Sequence, residues 1–285
     1  MKILNLIFIT FLLFGCYNST HHEYVSSEFN SNNSYISVIE GNIPIILIVS
    51  HSGKIHPKGI KKRKDNKKRC YFNNNNDLYT DDIAFKLSDI MDKKYKKRPY
   101  IIINNIHRKY FDANRPTRCS YDDDRLYVVH KDFRQKIVDT ISKVKLKFGD
   151  GVLIDIHGQH THEGDVFIGT NKGNTIKREI EDFIIDSFSK KGYDVPLDPR
   201  WRGGMIVSDY GLKRGYYGYP GVAWDHQINA FQIEIDKRYR YPDKYDGNAV
   251  RYRFCWDFAD IVMDVLKKLE INDKLEVDPE FLKIN

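Results

Sequence analysis

Four short segments of this 285-residue chain are almost wholly apolar: IPIILIVS (43–50), YIIIN (100–104), GVLIDI (151–156) and AFQIEI (230–235). Runs this rich in isoleucine, with little polar alternation, suit strands covered on both faces. Between them lie segments of helical period. YTDDIAFKLSDIMDKKY (79–95) puts Ile83, Leu87 and Ile90 on one stripe, with Thr80 as the expected N-cap. DFRQKIVDTISKVKLKF (132–148) does the same with Ile137, Ile141 and Val144. TIKREIEDFIIDSFSKKG (175–192) predicts a third helix. A last helix falls within 248–270, carrying Phe258, Ile261, Val265 and Leu269. Strands alternating with helices predict an α/β fold: a single domain with a mixed, mostly parallel sheet flanked by helices.

Ligands of such sheets gather at the carboxyl ends of the strands, and that rule selects few residues. The first strand ends in His51-Ser52-Gly53, the third in His157-Gly158, and the fourth carries Glu234 near its end. Asp77 precedes the first helix. His51, His157 and one of the two carboxylates make a three-ligand set for catalytic zinc, with water in the fourth position. The remaining carboxylate is then available as general base. Asp155, two residues from His157 on the same strand face, either supports that histidine or is itself a ligand. His160 and His162 read as loop residues without assigned chemistry. IHRKYFDANRPTR (106–118) supplies Arg108, Asn114, Arg115 and Arg118; the planar guanidinium fork suits a substrate carboxylate.

The amino terminus bears on compartment. MKILNLIFITFLLFG (1–15) has one early lysine and an apolar run, as a secretory signal peptide does, and Leu13-Phe14-Gly15-Cys16 resembles a lipobox. The chain is expected to be exported, either anchored through a lipid on Cys16 or free. Residues 16–40, rich in Ser, Asn and Thr, read as a polar tether, and 41–285 as the catalytic domain. Of the remaining cysteines, Cys70, Cys119 and Cys255, none forms a C-x-x-C pair, which argues against a zinc–thiolate site. One disulfide with a free thiol and three buried thiols both remain open.

With 41% hydrophobic and 30% charged residues, the composition is that of a globular protein rather than a collagen-like or disordered chain. The 46 Lys and Arg against 39 Asp and Glu leave +7, concentrated in KGIKKRKDNKKR (58–69) and MDKKYKKRP (91–99). These runs lack regularly interleaved aromatics and read as solvated faces, so no specific nucleic-acid partner is expected.

The segments VSHSGKIHP (49–57), DLYTDDIAFKLS (77–88), RKYFDANRP (108–116), LIDIHG (153–158), RWRGGMIVSDYG (200–211) and FQIEI (231–235) occur in one order along the chain. Over roughly residues 44–240 the sequence thereby resembles the N-formylglutamate amidohydrolase family. The resemblance implies a zinc carboxypeptidase-like fold and hydrolysis of an amide bond next to an acidic amino acid. It implies zinc on His51, His157 and Asp77, with Glu234 as general base. Asn114 and Arg115 would hold the carboxylate of a small-molecule or short-peptide substrate, and Arg108 would polarise the scissile carbonyl. Leu78-Tyr79 and Ser208-Asp209 depart from the family pattern and are expected to reshape the acyl pocket. A γ-glutamyl hydrolase, a carboxypeptidase, or an inactive carboxylate-binding relative are the competing expectations.

Overall fold

The computed structural model describes residues 35–65, 70–161, 163–197, 203–212, 227–242 and 247–271. The signal segment, Cys16 and most of the expected tether lie outside the described residues, as does His162. Six strands form one sheet: β1 (Ile36–Ile39), β2 (Ile45–Val49), β3 (Tyr100–Asn104), β4 (Val152–Gln159), β5 (Val166–Gly169) and β6 (Asn229–Asp236). Their order across the sheet is β1-β3-β2-β4-β6-β5. The inner four run parallel, and β1 and β5 close the edges antiparallel.

The apolar runs alternate between two helical layers. Leu47 and Val49 of β2 pack with α1 (Thr80–Tyr95), α4 (Arg178–Lys190) and α7 (Gly247–Lys268). Ile46 and Ile48 pack on the other face with α3 (Tyr127–Phe148) and α5 (Met205–Tyr210). Burying one such side chain contributes about 1.5–3 kcal/mol, so strands covered on both faces gain at every position. Two short helices, α2 (Thr117–Ser120) and α6 (Lys237–Arg240), complete the chain order. Among the described residues, no helix is long and apolar enough to cross a membrane.

Two boundaries differ from the sequence reading. Ile36–Ile39, placed in the tether, is β1, paired with β3 from Ile36↔Asn104 to Ile39↔Ile101. A short edge strand, half open to solvent, carries too weak an alternation to stand out beside a polar tract. Thr80 does not cap α1: the N-cap is Tyr79, at φ 67, and the Thr80 hydroxyl donates to the Asp77 carbonyl at 2.8 Å.

Topology places the site. From β2 the chain passes through α1 to β3 on one side, then through α3 to β4 on the other side of β2. Strand order therefore reverses between β2 and β4, and a crevice opens there at the carboxyl ends of the strands.

Candidate active site

His51 lies two residues beyond β2, and His157 sits on β4 directly opposite Glu234 of β6. Asp77 is brought alongside by the loop that enters α1, where its backbone N–H donates to the His51 carbonyl at 3.0 Å. All three side chains are buried. His51 Nδ1 and His157 Nδ1 are 3.0 Å apart, and Asp77 Oδ2 lies 3.2 Å from the first and 2.9 Å from the second.

The far nitrogen of each ring faces a carboxylate. His51 Nε2 is 2.7 Å from Asp112 Oδ1, and His157 Nε2 is 2.8 Å from Asp155 Oδ2. A carboxylate accepts, so Asp112 and Asp155 each favour hydrogen on the Nε2 they face, which leaves the two Nδ1 atoms, turned inward beside Asp77, as the atoms that would bind a metal. Two ring nitrogens and a carboxylate oxygen, mutually about 3 Å apart, are held together by shared protons or, with the protons displaced, by a cation between them. Three ligands at roughly 2.0 Å from one tetrahedral zinc would be about 3.3 Å apart, close to the separations found. His51, Asp77 and His157 thus fit a metal ion. Asp155 lies on the outer side of His157, where it supports the ring; it also accepts from Ser50 Oγ at 3.1 Å and Asn114 Nδ2 at 3.0 Å.

Electrostatics follow this arrangement. Burial opposes ionisation of Asp77, but His51, the hydrogen bonds with both histidines and Arg108 together hold its pKa well below the usual carboxylate range. Asp112 is likewise held ionised against burial, by Arg108, His51 and Arg115. Burial disfavours charge on His157, yet Asp155, the Asp77 hydrogen bond and Glu234 outweigh it and raise the imidazole well above its ordinary value. For Glu234 burial dominates: the carboxyl is pushed up to about 7, with His157 pulling it down and Asp77 pushing it further up. A dication beside it would favour the ionised form.

These groups face a cavity of about 340 Å³ lined mainly by polar side chains and glycines. Arg108, Asn114, Arg115, His160 and Glu234 all contribute to its wall. The Arg108 guanidinium bridges Asp77 Oδ1 at 3.3 Å and Asp112 Oδ2 at 3.0 Å, bracing a candidate ligand and a supporting carboxylate together. The Asn114 amide is committed inside the protein, donating to Asp155 and accepting from the Ile206 N–H at 2.9 Å. The geometry therefore makes Asn114 a brace for β4 and α5 rather than a free carboxylate binder. Arg115 stands at the rim, donating to the Asn114 and Tyr71 carbonyls. Among the departures from the family pattern, Tyr79 packs on Tyr241, and Ser208 and Asp209 are buried in α5 with Asp209 3.1 Å from Arg134. Neither these nor Leu78 are among the described residues lining the cavity.

Asp112 is the main residue the sequence reading missed. It sits inside the quoted FDANR segment, and its pairing with His51 spans 61 residues, beyond any local spacing signal. The disulfide question is settled: Cys70 pairs with Cys119, and Cys255 is free and buried. That bond ties one end of a cavity wall formed by Tyr71, Asn73 and Asn75. Asn76 ties the other end, donating to the Gly53 carbonyl and accepting from the Arg108 N–H. Reduction with a non-chelating phosphine should raise KM several-fold and spare metal content, because Asp77 lies beyond the second tie. An unchanged KM would show that the wall stands without the staple.

Fold and site together define a three-layer α/β domain with a buried His-Asp-His group and an opposed carboxylate at the strand ends. The model of the N-formylglutamate amidohydrolase family matches residues 118–239, which bears out the resemblance over a span that includes His157 and Glu234 and supports an amidohydrolase; His51, Asp77, Arg108, Asn114 and Arg115 lie before it. The N-formylglutamate amidohydrolase of Ralstonia eutropha JMP134 has a similar fold, with TM-score 0.58 and 14% identity over 80% of this chain and 98% of that one. A gene product of Agrobacterium tumefaciens gives TM-score 0.56 and 12% identity over 82% and 96%. At these identities the likeness establishes the fold. No curated protein sequence matches the chain significantly.

Proposed function

We propose that this protein is a zinc-dependent hydrolase that cleaves the amide bond of an N-acyl amino acid or short peptide bearing a carboxylate. One observation carries the reading: three inward-facing atoms able to ligate a metal, from His51, Asp77 and His157, lie beside the Glu234 carboxylate at the wall of one cavity. A zinc ion held by the three would polarise the scissile carbonyl and make water acidic enough to attack near neutral pH. Glu234 takes the proton from the attacking water and delivers it to the amide nitrogen as the C–N bond breaks, leaving a carboxylate and an amine. Arg115, at the rim, orients the substrate carboxylate. Arg108 holds Asp77 and turns positive charge toward the developing oxyanion.

Export belongs to the same proposal. The Cys70–Cys119 disulfide supports it, since such bonds persist in oxidising compartments; the substrate would then be an extracellular acyl amino acid, peptide or γ-glutamyl amide.

The test is elemental analysis of purified protein, followed by a screen of N-acyl amino acids and γ-glutamyl peptides after zinc loading. Zinc near stoichiometry with turnover of a carboxylate-bearing amide is expected. Tight binding of such ligands with no turnover would favour a carboxylate-binding protein instead. For an active substrate, Arg115→Ala should raise KM by about tenfold or more, the scale of one charge-assisted hydrogen bond, with kcat less affected.

A further inference from the structure

A general base works only if its carboxylate is aimed, and the last torsion of a glutamate is broad and weakly restrained by itself. β6 places Gln232 two residues before Glu234, so both side chains leave the same face of the strand. The Gln232 amide sits between three elements. Its Oε1 accepts from the Gly204 backbone N–H at 2.6 Å and lies 3.5 Å from Asn114 Nδ2. Its Nε2 donates to Glu234 Oε1 at 2.8 Å. The orientation of the amide is not arbitrary. A backbone N–H can only donate, so Oε1 must face Gly204, and Nε2 is thereby turned toward the carboxylate.

We infer that Gln232 is a positioning residue of the hydrolysis: by pinning one oxygen of Glu234, it aims the other at the water from which the proton is taken. The inference rests on the proposed role of Glu234. Gln232 does not itself exchange a proton. Its contribution is to keep the carboxylate within reach of both the attacking water and the departing nitrogen, where a misplacement of about 1 Å costs on the order of 10²-fold in rate. The anchor is rigid because Gly204 leads directly into α5 and is packed against Asn114, leaving no room for a side chain: a Cβ there would lie 2.3 Å from Asn114 Nδ2.

Two substitutions separate aiming from mere packing. Gln232→Met keeps the length of the side chain and loses both hydrogen bonds. Gln232→Glu keeps the acceptor for Gly204 but replaces the amide donor by a second carboxyl, which shares a proton with Glu234 instead of pinning its charged form. Both are expected to lower kcat by about 10- to 100-fold, with KM within threefold or so of the wild type and zinc content unchanged, measured beside Glu234→Gln. Wild-type kcat in Gln232→Met, which has no donor for Glu234 in any protonation state, would overturn the inference. A raised KM with unchanged kcat would also overturn it, in favour of a direct substrate contact. If Glu234→Gln itself retains turnover, the proposed function fails at its base, a result distinct from an active Gln232 variant beside an inactive Glu234→Gln.

Discussion

Glu234→Gln is expected to lower kcat by roughly 10²–10⁴-fold, the range that general acid–base catalysis supplies, while zinc content stays that of the wild type. Glutamine matches glutamate in shape, and its carbonyl can still accept the hydrogen bond that Gln232 now gives to Glu234. What it cannot do is take a proton from water. KM should change little, because the groups expected to hold the substrate, Arg115 above all, stand elsewhere on the cavity wall. The carboxylate is buried beside Asp77, so removing its charge should also leave the fold as stable as before or slightly more so. Turnover within a few-fold of wild type, with zinc bound, would remove Glu234 from the mechanism. Loss of zinc along with turnover would show instead that Glu234 is itself a ligand.

His157→Ala should eliminate both zinc binding and turnover, and Asp112→Asn should weaken zinc binding by about 10–100-fold while leaving the three candidate ligands in place. The first removes an inward-facing Nδ1. The second acts through the tautomer. Asp112 accepts from His51 Nε2–H, but an asparagine amide can donate to that nitrogen, and a donor there drives the ring hydrogen to Nδ1, the atom that faces Asp77 and His157. Asp112 also pairs with Arg108 and Arg63, so some destabilisation accompanies the change, and binding must be read on folded protein. Thermal shift supplies a second readout. Zinc at 100 times its Kd stabilises the wild type by about 2.7 kcal/mol, a gain His157→Ala should not show at any zinc concentration. Wild-type zinc affinity in Asp112→Asn would mean that the tautomer is set some other way.

Much of this site was legible before any coordinates. His51, His157 and Glu234 each follow or close an apolar strand, and the carboxyl ends of parallel strands are where ligands collect. Asp77 stood out as the acid before the first helix. Asp112 and Gln232 did not, because their importance lies in partners 61 residues away and in an amide orientation set by Gly204. Asn114 and Arg115 looked alike as a pair for a substrate carboxylate. Burial separates them: Asn114 is turned inward to Asp155 and Ile206, and Arg115 remains at the cavity rim. The short strands β1 and β5 and the helix α5 were also unread, since elements of four to six residues carry too few side chains for a period to show.

The sequence by itself determined the fold class and the two candidate histidine ligands at strand ends, because continuous apolar runs and helical stripes are local patterns that burial must satisfy wherever they occur. Only the tertiary structure decided which nitrogen of each histidine faces inward, that Asp77 joins them while Asp155 stands behind, and that Cys70 pairs with Cys119 across the cavity wall. Those choices depend on distances between groups far apart in the chain, and such distances come into being only when the strands take their order in the sheet.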